Sequence, residues 1–131
     1  MIKYVNFNAN PKNKKTGDCV IRAIAQATNQ SWDTVYAALC DIGAKNKLMP
    51  NSKRAYEKYL DSLNFTKHAQ PRKDDGTKYT VKEMSKFIPA GFVAVVQIAN
   101  HVTAIEGDTL YDTWDCREYT VLNYYTRRAA Q

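Results

Sequence analysis

Residues 16 to 25 read TGDCVIRAIA, and they set a thiol where a turn becomes an apolar helical run. The reactive form of cysteine is the thiolate, and a free thiol gives up its proton only near about pH 8.5. The first turn of a helix carries N–H groups with no intrahelical partner and about half a positive charge, so it favours the anion. Cys19 therefore stands where a nucleophilic sulfur is best placed. Its own N–H would point at an oxyanion forming on an attacked carbonyl. The competing reading is a small core residue, because cysteine is among the most often buried types. Arg22 lies one turn on and shares the face of Cys19; it reads as a structural ion pair or as a cation beside the thiolate.

A nucleophilic thiol needs a base, and the chain offers two histidines. His68 falls in a charged stretch beside Lys67, Pro71 and Arg72 and reads as a surface residue. His101 opens a strand in the apolar C-terminal half and is the better base. Strand parity then supplies an orienting carboxylate. With the hairpin turning at Glu106-Gly107 or at Gly107-Asp108, His101 and Thr103 share a face with Asp112 and Trp114. The first turn puts Asp112 directly opposite His101 and the second puts it one diagonal step away, both within reach of a side chain. A bulge would flip the parity and substitute Asp115. An aspartate there fixes the imidazole tautomer and stabilises the imidazolium that pairs with a thiolate. Trp114 is placed to shield that contact. Read singly, Asp112 is a solvent-facing hairpin residue and Trp114 is core.

These residues need elements to carry them. Residues 1–17 are polar apart from YVNF, an expected edge strand. A helix follows from about Asp18 to Asn29, with Asp18 as N-cap and an apolar surface almost all round, as in a buried helix. NQSWDTVYAALCDIG reads as a second helix, capped by Ser31 and ended by Gly43. SKRAYEKYLDSLNF is a third, capped by Ser52, and HAQPRKDDGTK is a loop. TVKEMSKFIPAG gives a short fourth helix, in which Thr80 and Glu83 form a capping box and Pro89 is the stop. FVAVVQIA is an expected central strand, HVTAIE and TLYDTWD form the hairpin, and EYTVLNYY is the last strand. Helices followed by consecutive antiparallel strands imply an α+β domain spanning residues 1–131, without repeat or linker.

The totals narrow the class. With 131 residues, 44% hydrophobic and 24% charged, the composition is that of an ordinary soluble domain. No apolar run approaches the roughly 20 residues that span a bilayer, and the N-terminus has no signal-like apolar core. The expectation is a cytoplasmic protein without a membrane partner. Cys19, Cys40 and Cys116 are odd in number and far apart, which argues against a disulfide framework, and Cys40 and Cys116 read as bland thiols. The absence of Cys-x-x-Cys and the scarcity of histidine argue against structural zinc. The formal charge of +6 gathers in short basic runs. These read as solvated surface, or else as a face for an acidic partner such as nucleic acid, for which no recognition motif is present.

Together these residues resemble the papain-like cysteine peptidases, in which cysteine, histidine and an Asp or Asn follow in that chain order. GDCVIRAIA is similar to the family's central helix, which carries the nucleophile at its N-terminal end. NHVTAIEGDTLYDTW is similar to its strand pair, with DTW in the place of Asn-Ser-Trp. The resemblance implies a papain-like α+β fold, with the nucleophile helix packed on a C-terminal antiparallel sheet. It implies a catalytic triad of Cys19, His101 and Asp112 with Trp114 as shield, acting on a peptide or protein substrate without metal or organic cofactor. The family's glutamine six residues before the nucleophile is Asn13 here, shorter by one methylene, with Asn10 as the alternative oxyanion donor. Small domains of this kind occur in bacteria and their phages. The same triad also serves deamidation, transglutamination and acyl transfer, and a catalytically idle binding module would carry the same fold.

Overall fold

Two serines start helices as their sequence context predicts. In the computed structural model, which describes residues 1–129, Ser31 accepts the Thr34 N–H and opens α2 (Trp32–Asn46). Ser52 accepts the Ala55 N–H and opens α3 (Lys53–Ser62). The single domain expected over residues 1–131 has its last two positions, 130 and 131, outside the described residues. The helix that Cys19 opens, α1 (Cys19–Thr28), ends on Asn29 at φ 55°, a left-handed position that asparagine tolerates. All its residues but Cys19, Arg22 and Gln26 are buried, so those three form one polar stripe at helical spacing.

The fold is α+β, with a six-stranded mixed sheet. Its strands are β1 (Lys3–Asn6), β2 (Thr66–His68), β3 (Phe92–Ile98), β4 (His101–Glu106), β5 (Thr109–Asp112) and β6 (Asn123–Arg128), in the order β1-β5-β4-β3-β6-β2. β1 lies at one edge, as YVNF suggests, and β3 is central. Successive residues of β3 point to opposite faces and build two cores. Val93 and Val95 join Val20, Ile24, Leu39, Leu60 and Ala104 beneath the helices. Ala94, Val96 and Ile98 join Met84, Ile105, Leu110 and Val121 on the other side. No helix among the described residues is long and apolar enough to cross a membrane.

Several local expectations are corrected by long-range contacts. Gly43 lies inside α2 instead of ending it; the Leu48 N–H bonds to its carbonyl at 2.9 Å, and an added Cβ would meet the Leu48 oxygen at 2.6 Å. Glycine is there for close approach of the following chain, not as a stop. The fourth helix is a 3-10 helix (Val81–Phe87), with the Thr80 N–H on Glu83 at 3.0 Å as in a capping box. The last strand begins at Asn123 and runs on to Arg128. The chain before Leu122 is drawn to another partner, where the Val121 N–H bonds to Tyr79. The sheet is not wholly antiparallel, because the N-terminal β1 joins β5 in parallel. The stretch expected to be loop from His68 onward starts inside β2, which pairs with β6.

Candidate active site

The register of the hairpin decides the geometry. Glu106 pairs with Thr109 and Ile105 with Leu110, so the turn is Gly107-Asp108 and carries no bulge. Asp112 is therefore diagonal to His101, and the ring Nε2 lies 2.6 Å from Asp112 Oδ2. Asp115 turns instead to Arg117, at 2.9 and 2.8 Å. His101 opens β4 and Asp112 closes β5, so both stand at the same end of the hairpin. They share a face with Ile98 and the second core, opposite to the face on which α1 packs. Cys19 comes to this end of the sheet, close enough for the His101 ring and the Val102 backbone to act on its thiol.

The charges reinforce one another. Burial pushes the Cys19 thiol up, but the His101 hydrogen bond, the Val102 N–H and the cations of His101 and Arg22 outweigh it and hold the pKa below the ordinary thiol value. Burial alone would lower His101; hydrogen bonds to Asp112 and Cys19, with their charges, raise it from 6.5 to about 9. Burial likewise disfavours the Asp112 anion, yet the bond to His101 and its charge keep that carboxyl below the usual range. An ionised Asp112 can only accept, so Nε2 carries its hydrogen and Nδ1 is the nitrogen left for Cys19. Trp114, 37% exposed, sets its ring 4.9 Å from the imidazole and covers it from solvent.

A second layer of contacts lies behind these groups. Asp18 sits at the N-cap position of α1 but makes no capping bond with its side chain. Its Oδ1 accepts from Arg22 Nε at 2.9 Å, and its Oδ2 accepts from Trp32 Nε1 at 2.9 Å and Asn10 Nδ2 at 3.1 Å. Arg22 Nη1 reaches Asp112 Oδ1 at 3.1 Å. Arg22 is thus both an ion-pair partner and a cation felt by the thiol. Asp18 read from sequence only as a cap, although its i,i+4 spacing to Arg22 signals the pair. Trp32 read only as part of the second helix. Cys116, fully buried, places its sulfur 3.9 Å from Asp112 Oδ2, and burial with the Asp112 charge pushes its thiol up to about 12.

The two oxyanion candidates are joined by a turn, the Asn13 N–H bonding to the Asn10 carbonyl at 2.9 Å, but differ in exposure. Asn10 is buried and committed to its own loop, donating to Asp18 and accepting the Lys12 N–H at 2.9 Å. Asn13 is exposed, at φ 53°, and lines a cleft of about 680 Å³ with Lys14, Lys15, Gly17 and Asp18. A second cleft, of about 340 Å³, shares Thr16 to Asp18 and is walled by Ile21, Pro50 and the stacked rings of Trp32 and Tyr36. His68 is remote from this chemistry. It is half-buried in β2, stacked on Tyr124 at 4.5 Å, with Nε2 2.8 Å from Thr126 Oγ1, and burial lowers its pKa.

His101, Asp112 and Cys116 place three donor atoms within 4.8 Å of one another. Two ligand atoms of one tetrahedral zinc stand about 3.3 Å apart for bonds of about 2.0 Å. The 2.6 Å between Nε2 and Oδ2 is a hydrogen-bond length, and the Arg22 cation on the same carboxylate opposes a second cation. The arrangement fits a hydrogen-bonded pair better than a metal centre. The chain matches no protein-family model, no curated protein and no solved structure.

Proposed function

We propose that this chain is a papain-like thiol hydrolase, and most specifically a peptidase, in which Cys19, His101 and Asp112 form the triad. The observation that carries the reading is an imidazole bound to a buried carboxylate at 2.6 Å and acting on the thiol at the mouth of a helix, whose pKa it lowers. His101 Nδ1 takes the Cys19 proton, and the sulfur attacks the substrate carbonyl to form a tetrahedral adduct. The Cys19 N–H, unpaired in the first turn of α1, is one donor to the oxyanion, and the Asn13 amide is the second. The imidazolium returns its proton to the leaving amine and a thioester is left on Cys19. Water then gives a proton to His101, attacks the thioester, and releases the acid and the thiol. Asp112 keeps the ring in the tautomer that serves both halves.

The surroundings favour an extended substrate. The two clefts meet at Thr16 to Asp18, the residues that lead into Cys19. One offers Lys14 and Lys15, suited to acidic groups, and the other offers aromatic and aliphatic walls. A peptide with an acidic residue on one side of the scissile bond and an apolar one on the other satisfies both. The test is a panel of such peptides, read by mass spectrometry and by ammonia release. Cleavage that disappears in Cys19→Ala and in His101→Ala supports the peptidase. Ammonia without cleavage, or transfer to an added amine, keeps the triad and changes the reaction. No turnover on any substrate, with Cys19 no more reactive than a free thiol, refutes the reading.

A further inference from the structure

The polar stripe of α1 has a member that the triad does not use. Arg22 is 13% exposed and lies on a helix whose other faces are buried. Its guanidinium is gripped on two sides. Nε donates to Asp18 Oδ1 at 2.9 Å, and Nη1 donates to Asp112 Oδ1 at 3.1 Å and to Thr113 Oγ1 at 3.3 Å. Asp18 is itself fixed by the Trp32 indole and the Asn10 amide. On Asp112 the two oxygens are divided between partners. Oδ1 takes Arg22 and the Thr113 N–H at 2.7 Å, and Oδ2 takes His101 at 2.6 Å.

We infer that Arg22 is a positioning residue, whose guanidinium, anchored by Asp18, holds Asp112 Oδ1 and so turns Oδ2 onto His101 Nε2. The inference rests on the triad reading above. A carboxylate at a strand end can turn about its last bond and trade donors between its two oxygens; the Thr113 N–H restrains that turn, and Arg22 adds a charged clamp on the same oxygen. The planar fork of arginine removes that freedom, because two of its N–H groups leave in fixed directions toward two carboxylates. The sign of charge alternates along the series, from Asp18 through Arg22 and Asp112 to the imidazolium and the thiolate, so each of the three inner groups faces opposite charge on both sides. One turn of helix thus carries the nucleophile, the cation behind the third triad member, and, at the N-cap, the anchor of that cation.

The test reads thiol reactivity and not hydrolysis. Iodoacetamide rates at Cys19 are measured against pH for the wild type, Arg22→Lys and Asp18→Asn, alongside the proton resonance of His101 Nε2–H. Arg22→Lys keeps the charge and loses the fork, and Asp18→Asn keeps an acceptor for Trp32 and loses the anchor. Both are expected to raise the lower midpoint of the Cys19 profile by about one pH unit, a tenfold loss of thiolate below it, and to broaden the Nε2–H resonance. A role in stability alone lowers the melting temperature and leaves profile and resonance in place in the folded protein; that result overturns the inference while the triad reading stands. A wild-type Cys19 with no enhanced reactivity overturns both. Should neither variant fold, the wild type decides. The Arg22 guanidinium resonances are expected to move as His101 titrates, and resonances indifferent to that titration overturn the inference.

Discussion

Asp112→Asn is the most informative single perturbation of the site. The two side chains have nearly the same shape, so the exchange removes charge and one acceptor while leaving volume alone. The short hydrogen bonds to Asp112 are divided between its two oxygens: Arg22 Nη1 and the Thr113 N–H on Oδ1, and His101 Nε2 on Oδ2. Asparagine has one acceptor oxygen. If that oxygen keeps Arg22 and Thr113, its amide N–H faces Nε2 and selects the imidazole with the proton on Nδ1, which cannot accept from Cys19. The magnitude follows from His101, held at about 9 against an ordinary 6.5. That gap corresponds to about 3 kcal/mol in favour of the charged ring, at about 1.4 kcal/mol per pH unit. Asp112 acts on the ring by both hydrogen bond and charge, so the greater part, about 2 kcal/mol, is expected to vanish with it.

The direction with pH follows from linkage. The folded pKa of His101 lies above its unfolded value, so its contribution to stability is complete below about pH 6.5 and is lost as pH rises through about 9. Wild-type stability in denaturant is therefore expected to fall across that window, and the fall is expected to flatten in Asp112→Asn. Three readings are taken on both proteins: the His101 titration by NMR, the Cys19 alkylation rate at pH 7, and the urea midpoint from pH 6 to 9.5. The variant is expected to titrate His101 about 1.5 pH units lower, at about 7.5, and to alkylate at least about tenfold more slowly. A variant that still titrates near 9, or a wild-type ring that titrates at 6.5, would falsify the coupling on which the site depends.

Mass mapping after brief alkylation is expected to find Cys19 modified well below the ordinary thiol pKa and Cys116 modified last, since Cys116 is fully buried with its pKa near 12; Cys116 modified as fast as Cys19 contradicts the geometry. His68→Ala is expected to leave Cys19 selectivity intact and to cost about 1 kcal/mol in a thermal melt, from the lost Thr126 bond and Tyr124 stacking, whereas His101→Ala abolishes the selectivity. Gly43→Ala is expected to destabilise by about 1–3 kcal/mol in chemical denaturation despite the better helix propensity of alanine, because the new Cβ meets a backbone oxygen that cannot rotate away; a stabilised variant refutes that account.

The sequence by itself determined whatever is written in local periods. The mouth of α1 falls at Asp18-Cys19, Ser31 and Ser52 start their helices, and Thr80 with Glu83 makes its box, because each depends on residues three or four positions apart. Hairpin parity put His101, Thr103 and Asp112 on one face for the same reason, since alternation has a period of two. Only the tertiary structure decided what depends on distant partners. It chose Gly107-Asp108 as the turn, and with it the diagonal approach of Asp112. It took the Asp18 carboxylate from capping to Arg22, Trp32 and Asn10, groups a buried anion needs. It drew β1 into parallel pairing with β5, and it moved His68 from an expected loop into β2. Cys19 and His101 are 82 positions apart along the chain and belong to opposite faces of the sheet, and no local pattern records that a helix mouth and a strand end meet. That meeting is set by how α1 seats on the sheet, a packing outcome summed over the whole first core.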